Sequence, residues 1–341
     1  MRKCNINNIE ELFAAISEKA SLYVPVDTAK TGAKFQKWER GTELSKALNT
    51  SSSAKDFFFP QSESLVDFKM EGKNIEIIDV RKESEDFVLF GVRACDVKSL
   101  DILDRVFLAD TPDSYYASRR EHCTVISLAC TNPNYTCFCS TFGIDAAEPG
   151  ADISAWMGVD ALYLQANTEK GSALLSRLDS VTEAADAAVV EGTKAVIRDK
   201  VSKLPLYDLK ADAFGADKTK KFFDAPEWKS LAESCLGCGT CTFVCPTCQC
   251  YDIKDFDTGH GIKRFRCWDS CMYSDFTKMA HGNPRLTQVE RFRQRFMHKL
   301  VYFPSNHDGM FSCVGCGRCI SSCPVSMNIV KVMKELGGKE E

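Results

Sequence analysis

The sequence predicts an α+β protein in which a mixed α/β N-terminal domain precedes a smaller, cysteine-rich C-terminal domain. Three observations predict this class. The chain has 341 residues, enough for two domains that each bury a core. Segments with strand character alternate with helical patterns before residue 205. Twelve of the 18 cysteines lie between Cys235 and Cys323, so the C-terminal part has a different chemistry from the rest.

The N-terminal elements are predicted from residue type and periodicity. Strands are expected where β-branched and aromatic residues cluster, at 21–26, 75–80, 87–92, 124–129 and 161–165. Helices are expected where apolar residues recur every three or four positions, at 9–20, 97–106, 173–178 and 185–203. Residues 205–226 alternate Lys and Asp with few large apolar side chains, so we interpret them as a linker. The predicted domains are therefore 1–215 and 216–341.

Composition excludes several classes of function and location. Lys and Arg number 43 against 47 Asp and Glu, a net charge of −4, whereas nucleic-acid binders are usually strongly basic. The most apolar runs fall far short of the ~20 residues that a bilayer span requires. The apolar residues 12–16 are flanked by Glu11 and Glu18, unlike a secretion signal. We therefore expect a cytoplasmic protein without nucleic-acid or membrane partners. Because the cytoplasm is reducing, metal explains the cysteines better than disulfides do.

Two cysteine motifs share the spacing C-x2-C-x2-C-x3-C-P. The first comprises Cys235, Cys238, Cys241 and Cys245, and the second comprises Cys313, Cys316, Cys319 and Cys323. Bacterial ferredoxins with two [4Fe–4S] clusters have this spacing, and the fourth cysteine of each motif ligates the other cluster. The predicted C-terminal domain is therefore a ferredoxin-like two-[4Fe–4S] domain with a long insert between the cluster motifs.

Crossed ligation assigns the eight motif cysteines to two clusters. One cluster takes Cys235, Cys238, Cys241 and Cys323, and the other takes Cys313, Cys316, Cys319 and Cys245. The alternative is a pair of structural zinc sites, which also use C-x2-C pairs. Zinc needs only four ligands per site, so it does not explain a third C-x2 step followed by C-x3-C-P in two copies.

Further signatures outside these motifs carry a resemblance to a known family. They are Phe90-Gly-Val-Arg-Ala-Cys95-Asp96, Tyr115-Tyr116, Cys130, Cys137-Phe-Cys139, Pro246-Thr-Cys248-Gln-Cys250-Tyr251 and Trp268-Asp-Ser-Cys271. Together with the two motifs, the chain resembles the family of 4Fe-4S dicluster electron-transfer subunits found in anaerobic sulfite reductase and, as the beta subunit, in sulfhydrogenase. The resemblance covers nearly the whole chain and is weakest before Phe57 and over 150–226.

This resemblance implies an iron–sulfur electron-transfer subunit of a cytoplasmic anaerobic oxidoreductase complex. Its implied partners are a flavin/NAD(P)H-binding subunit, together with a terminal reductase or hydrogenase subunit. The chain has neither G-x-G-x-x-G nor G-x4-G-K-[ST], so it offers no recognisable nucleotide cradle of its own. We therefore expect single-electron relay without catalytic residues in this chain.

Four further cysteines are expected to hold a third iron–sulfur cluster, because Cys95, Cys130, Cys137 and Cys139 match cysteines of the resembled family. Cys95 and Cys130 each follow a predicted strand, so both could emerge at one sheet edge. The Cys137–Cys139 pair could then close a four-thiolate site. The alternative is a set of buried, inert thiols, because free cysteine packs as a small hydrophobe.

Three cysteines of the insert have several possible roles. Cys248, Cys250 and Cys271 could line the first cluster, ligate a further small centre, undergo thiol redox chemistry or simply pack beside the clusters. The alternative function is accordingly a cluster-fed sulfur or disulfide reductase that uses these three residues. No role is predicted for Cys4, Cys123 or Cys267.

The stretch 261–300 is locally basic, with nine Lys and Arg against three Asp and Glu. Such cations would stabilise anionic clusters and raise their potential. Alternatively, Arg291, Arg293, Arg295 and Lys299 could dock an acidic partner protein, or they could form a solvated helix face.

Overall fold

The computed structural model describes residues 1–29, 32–47, 49–81 and 84–338. The strands are β1 (Arg2–Asn5), β2 (Ser21–Thr28), β3 (Gly32–Lys37), β4 (Ser62–Glu71), β5 (Asn74–Asp79), β6 (Phe87–Val92), β7 (Cys123–Leu128), β8 (Ile153–Met157), β9 (Ala161–Ala166), β10 (Glu183–Ala184), β11 (Tyr251–Asp257) and β12 (Gly261–Trp268). Short 3₁₀ segments lie at Ile6–Asn8, Cys139–Phe142 and Ala187–Val190, and a π-helical segment lies at His298–Tyr302.

The helices divide between the two halves of the chain. They are α1 (Ile9–Ser17), α2 (Lys55–Phe58), α3 (Ala94–Phe107), α4 (Ser114–His122), α5 (Glu169–Arg177), α6 (Glu191–Ser202), α7 (Thr219–Phe223), α8 (Glu227–Ala232), α9 (Thr240–Phe243), α10 (Gln288–Met297), α11 (Phe303–Asn306), α12 (Arg318–Ser321) and α13 (Ile329–Gly337). Nowhere in the described ranges is a helix long and apolar enough to cross a bilayer.

A mixed eight-stranded sheet organises the N-terminal part, in the order β10-β1-β9-β8-β7-β6-β2-β3. The inner strands β2, β6, β7 and β8 run parallel to one another, and antiparallel strands complete both edges. Strand β6 is buried over 88–92, as expected for a parallel strand that is covered on both faces. The predicted mixed α/β character is therefore confirmed.

Helices cover both faces of this sheet. On one face, Leu12 and Ile16 of α1 pack with Leu174 of α5. On the other face, Leu103 and Phe107 of α3 pack with other buried aromatic residues. Because β6 and β7 are adjacent parallel strands, their carboxyl ends lie at the same edge of the sheet. Helix α3 follows β6 there, and a loop follows β7.

The insert between the cysteine motifs contains a β-hairpin that pairs with strands of the N-terminal part of the chain. Its strands β11 and β12 join β4 and β5 in a four-stranded antiparallel sheet, in the order β11-β12-β4-β5. Buried Arg266 of β12 forms ion pairs with Glu63 of β4 and with Asp113. The indole Nε1 of Trp268 donates to the carbonyl of Phe59 at 3.1 Å. The insert thereby joins the cluster motifs to the N-terminal part.

A separate core supports the C-terminal part. It combines Trp228 of α8, Phe292 and Phe296 of α10, and Ile329 and Val332 of α13. The segment 205–226, which the sequence suggests is a linker, contributes to the same core through the buried side chains Ala211, Phe214 and Phe222. These apolar residues are widely spaced in a polar segment, so their burial is not visible as a periodic pattern. The interpretation as a free linker is wrong, and the domain division at residue 215 stays a prediction.

Candidate iron–sulfur centres

The second cysteine motif surrounds an enclosed pocket together with the last cysteine of the first motif. Cys245, Cys313, Cys316 and Cys319 all line this pocket. The structure therefore brings together the four thiols that crossed ligation assigns to one cluster. The remaining wall combines the apolar side chains of Phe138, Val314 and Ile329 with the cations Arg295 and Lys299.

Glycine is required twice in the loop that carries these thiols. Gly315 and Gly317 have φ values of 60° and 77°, in the left-handed region that side chains other than glycine rarely adopt. A Cβ on Gly315 would lie 2.3 Å from the carbonyl oxygen of Phe138, and one on Gly317 would lie 2.5 Å from the carbonyl oxygen of Thr136. The motif loop is thus pressed against the segment that contains Cys137 and Cys139.

The first motif forms an equivalent loop nearer the surface. Gly239 has φ 73° and begins the one-turn helix α9, which carries Cys241. Cys238 is exposed, and the Gln288 side-chain amide donates to the sulfur of Cys235 at 3.4 Å. Cys323 packs against the same core as Cys235 and Cys241, and the Met327 N–H donates to its sulfur at 3.2 Å.

A second pocket contains the remaining predicted ligands. Cys95, Cys130, Cys137 and Cys139 line it. Cys95 and Cys130 follow the adjacent parallel strands β6 and β7, so they emerge at one sheet edge as the sequence suggests. Cys139 begins a 3₁₀ turn, so it does not sit with Cys137 on alternate faces of a strand. We call this the N-terminal pocket, and the pocket around Cys313 the central pocket.

The two pockets are neighbours. Cys316 and Gly315 line both of them, and the backbone N–H of Phe138 donates to the carbonyl of Gly315 at 2.8 Å. Residues of the second motif thus form a shared wall.

Burial makes bare thiolates unfavourable in both pockets. It raises the pKa of Cys137, Cys139 and Cys313 to about 12 each, because desolvation penalises the charged form. Thiolates there require a compensating positive charge, such as bound iron or a nearby cation.

Buried cations lie beside the cysteines. Lys299 Nζ donates to Cys245 Sγ at 3.3 Å, to Thr247 Oγ1 at 2.9 Å and to the Ser312 carbonyl at 3.0 Å, and none of these partners is a carboxylate. The Arg295 side chain is also buried, and its Nε has no hydrogen-bond partner among the described residues. An uncompensated buried cation costs several kcal/mol, so this environment favours an anion. A cluster held by four thiolates supplies one, and the donor set therefore fits an iron–sulfur cluster.

Neighbouring thiols also shift the pKa values of these cations. Burial lowers the pKa of Lys299, but Cys245 and Cys248 outweigh it, so the net pKa is raised. Arg295 behaves likewise, with Cys241 and Cys319 as the first of the groups that raise its pKa. Both residues stay charged at neutral pH. They are only 4% and 5% exposed, so the expectation that Arg295 and Lys299 dock a partner is wrong.

A buried ion pair joins two residues whose sequence neighbours line the two pockets. Arg318 of α12 donates to both carboxylate oxygens of Asp96, at 2.6 and 2.7 Å, and its Nε donates to the Thr50 carbonyl at 2.7 Å. Asp96 follows Cys95 of the N-terminal pocket, and Arg318 lies two residues after Cys316. The pair therefore ties the second motif to the start of α3.

Comparison with known proteins decides the family. Residues 234–327 match the family model described as a 4Fe-4S dicluster domain. Over 329 aligned residues, the chain is 33% identical to sulfhydrogenase 2 subunit beta of Pyrococcus furiosus. The alignment covers 96% of this chain and 95% of that protein. The chain belongs to the family of sulfhydrogenase beta subunits. The resemblance and the 4Fe-4S dicluster domain that the motifs predict are confirmed. No solved structure matches the chain.

In this family member, the three cysteines of the insert lie outside both pockets. Cys248 donates a hydrogen bond to the Cys245 sulfur, which lowers the pKa of Cys245 and raises that of Cys248. Cys250 and Cys271 interact with each other. Across the described parts of the chain, no three His, Cys, Asp or Glu side chains converge closely enough for a single metal ion.

Sequence reasoning missed the ion pair, and it did not show that Arg295 and Lys299 of the basic stretch 261–300 are buried. Arg318 lies inside the second motif, and Arg295 and Lys299 are spaced i, i+4, so position and spacing were available signals. Their burial depends on packing between distant segments, which the local pattern does not reveal.

Replacing Lys299 with Met should lower the reduction potential of the dicluster domain by on the order of 100 mV. The ammonium would stabilise the extra negative charge of a reduced cluster, and Met fills similar volume without charge. An anaerobic potentiometric titration followed by electron paramagnetic resonance would measure the shift. Lys331→Met, at an exposed position of α13, is the matched control. An unchanged potential in Lys299→Met would show that this cation does not act on a cluster.

Proposed function

We propose that this chain is the electron-relay subunit of an anaerobic oxidoreductase complex and conducts single electrons through three iron–sulfur clusters. The first cluster would be held by Cys235, Cys238, Cys241 and Cys323, and the second by Cys313, Cys316, Cys319 and Cys245. The third would be held by Cys95, Cys130, Cys137 and Cys139. When bound, such clusters accept and donate one electron each, at potentials set by their surroundings.

One observation carries this proposal: Cys316 and Gly315 line both the central and the N-terminal pocket. A cluster in one pocket would therefore lie next to a cluster in the other. Crossed ligation through Cys245 and Cys323 would join the first cluster to the second. The proposed order is first motif, central pocket, N-terminal pocket.

Protein residues position and tune this relay. Phe138, Val314 and Ile329 keep water from the central pocket, while Lys299 and Arg295 compensate its negative charge. Arg318 and Asp96 hold the central and N-terminal pockets together. Electron relay itself requires no bond to form or break in this chain, so no residue is assigned a catalytic role in it.

Both ends of the relay are accessible. At the first motif, Cys238 is exposed and Leu236 is 67% exposed. At the N-terminal pocket, Tyr135 is 70% exposed and follows the lining residues Pro133 and Asn134. We infer that one partner protein approaches each end. The relative from Pyrococcus furiosus is named as a subunit of a sulfhydrogenase, which supports a multisubunit assembly. We propose that this assembly is of sulfite reductase or hydrogenase type. The proposed partners are the terminal subunit of that assembly and its flavin/NAD(P)H-binding subunit.

The test is to purify the complex anaerobically through a tag on this chain and to identify its subunits. NADPH or NADH should bleach the cluster absorbance of this chain only when the flavin subunit is present, because the sequence has neither of the nucleotide-binding motifs G-x-G-x-x-G and G-x4-G-K-[ST]. Bleaching of the isolated chain by either nucleotide, or isolation of a colourless zinc protein, would overturn the proposal.

A further inference from the structure

Cys250 and Cys271 lie side by side at the base of the insert hairpin. Cys250 directly precedes β11, and Cys271 is the third residue after β12. Tyr251 pairs with Trp268, and the Asp269 N–H donates to the Cys250 carbonyl at 3.0 Å. The backbone therefore holds the two cysteines together even though they are 21 positions apart.

The two thiols have pKa values that are shifted in opposite directions. The Cys271 thiol donates to the Cys250 sulfur and lowers the pKa of Cys250 to about 7. The Cys271 backbone N–H also lowers this pKa, as does the charge of Lys299, while burial and the Asp269 carboxylate raise it. The same thiol hydrogen bond, followed by burial, raises the pKa of Cys271. A thiolate beside a protonated thiol supplies an attacking and a resolving sulfur.

This pair lies between the surface and the first motif. Cys250 is half-buried and Cys271 is 8% exposed, while the adjacent Tyr251 is 41% exposed. On the inner side, Thr242 Oγ1 donates to Ser270 Oγ at 2.9 Å. This bond joins the residue before Cys271 to helix α9, which carries Cys241.

We propose that Cys250 and Cys271 form a redox-active dithiol that reduces a small-molecule disulfide. The Cys250 thiolate attacks one sulfur of the disulfide, so an S–S bond forms to Cys250 and the first thiolate leaves and takes up a proton. Cys271 then loses its proton and attacks the Cys250 sulfur, which closes a Cys250–Cys271 disulfide and releases the second thiolate. Two protein thiols are oxidised and one external disulfide becomes two thiols.

Two electrons and two protons return the pair to the dithiol. Reduced clusters would supply the electrons one at a time, a step that rests on the function proposed above. Cys248 has no part in this chemistry, because its thiol donates to Cys245 instead. The set of three cysteines considered from sequence thus narrows to two.

The exchange step is tested on the full-length, cluster-loaded chain with glutathione disulfide under anaerobic conditions. After acid quenching and alkylation, peptide mass mapping should find a Cys250–Cys271 disulfide in the wild type. Cys271→Ser should instead accumulate a glutathione adduct on Cys250, and Cys250→Ser should react at Cys271 at least tenfold more slowly. The reaction rate at Cys250 should rise with pH and reach half its maximum near pH 7. Cys267→Ser, on the same hairpin, is the control and should behave as the wild type does.

Cluster absorbance and iron content establish that each variant is folded and loaded. An adduct on Cys248 rather than Cys250 in Cys271→Ser, or no Cys250–Cys271 disulfide in the wild type, would overturn the dithiol proposal.

A second arm separates this proposal from the relay. Cluster-loaded chain that is kept oxidised should retain its Cys250–Cys271 disulfide after exchange, whereas chain whose clusters are reduced with dithionite, which is then removed, should recover its dithiol. Exchange without cluster-dependent recovery would overturn the electron supply and leave the dithiol intact. Loss of exchange in fully loaded, redox-active chain would overturn the dithiol and leave the relay intact.

Discussion

Replacing Arg318 with Met should destabilise the protein by about 3–5 kcal/mol, because it leaves the Asp96 carboxylate buried without its partner. The two side chains are only 3% and 2% exposed, so water cannot take the place of the guanidinium. The substitution also removes the hydrogen bonds that the Arg318 guanidinium donates to Thr50. Anaerobic denaturant unfolding with clusters bound, followed by circular dichroism, would measure the change.

The double variant Arg318→Met with Asp96→Asn is the control for this prediction. Removing both charges abolishes the uncompensated carboxylate, so the double variant should be more stable than Arg318→Met alone. Additive destabilisation would contradict a direct coupling between the two residues. Iron content must be equal in all samples, since cluster loss would itself lower stability.

Replacing Cys137 and Cys139 together with Ser should remove about four of about twelve irons and abolish electron transfer across the complex. Each serine keeps the approximate size of the thiol but is a poor ligand for a cluster. The dicluster domain should keep its absorbance and its electron paramagnetic resonance signals, because its eight cysteines are unchanged. Iron analysis, spectroscopy and the rate of NAD(P)H-dependent reduction of the terminal acceptor would check these outcomes.

Cys123→Ser with Cys4→Ser is the matched control for the N-terminal pocket. Both cysteines are buried in the N-terminal part and lie outside the pocket. This variant should retain all its iron and its activity. Equal iron in the Cys137/Cys139 variant and in the wild type would contradict the third cluster.

The parts of the site that were predictable from sequence depend on local chemistry. A cubane needs thiols at fixed short spacings, so the two C-x2-C-x2-C-x3-C-P motifs reveal their ligands without knowledge of the fold. Cys95 and Cys130 were predictable as neighbours because both follow strands, and adjacent parallel strands end at one sheet edge. The strands over 21–26, 87–92 and 161–165 were predictable because β-branched and aromatic residues cluster there.

The missed features depend on pairing between distant segments. Strand β12 pairs with β4, nearly 200 residues earlier in the chain, and the sequence pattern of neither segment indicates which strand it pairs with. Arg295 has the local pattern of a solvated or docking cation, and only the packing around the central pocket buries it. Phe214 and Phe222 lie in a polar segment, so composition alone suggests a linker although both are buried in the core.

An anaerobic reductive titration of the isolated, cluster-loaded chain tests the three-cluster relay most directly. Dithionite is added stepwise while absorbance and electron paramagnetic resonance report reduction of the iron–sulfur centres. The three-cluster relay predicts that a chain with about twelve irons takes up about three electrons, which is one electron and four irons for each cluster. The electron count is corrected for any Cys250–Cys271 disulfide present. Uptake of two electrons by a chain with about eight irons would contradict the relay through the N-terminal pocket.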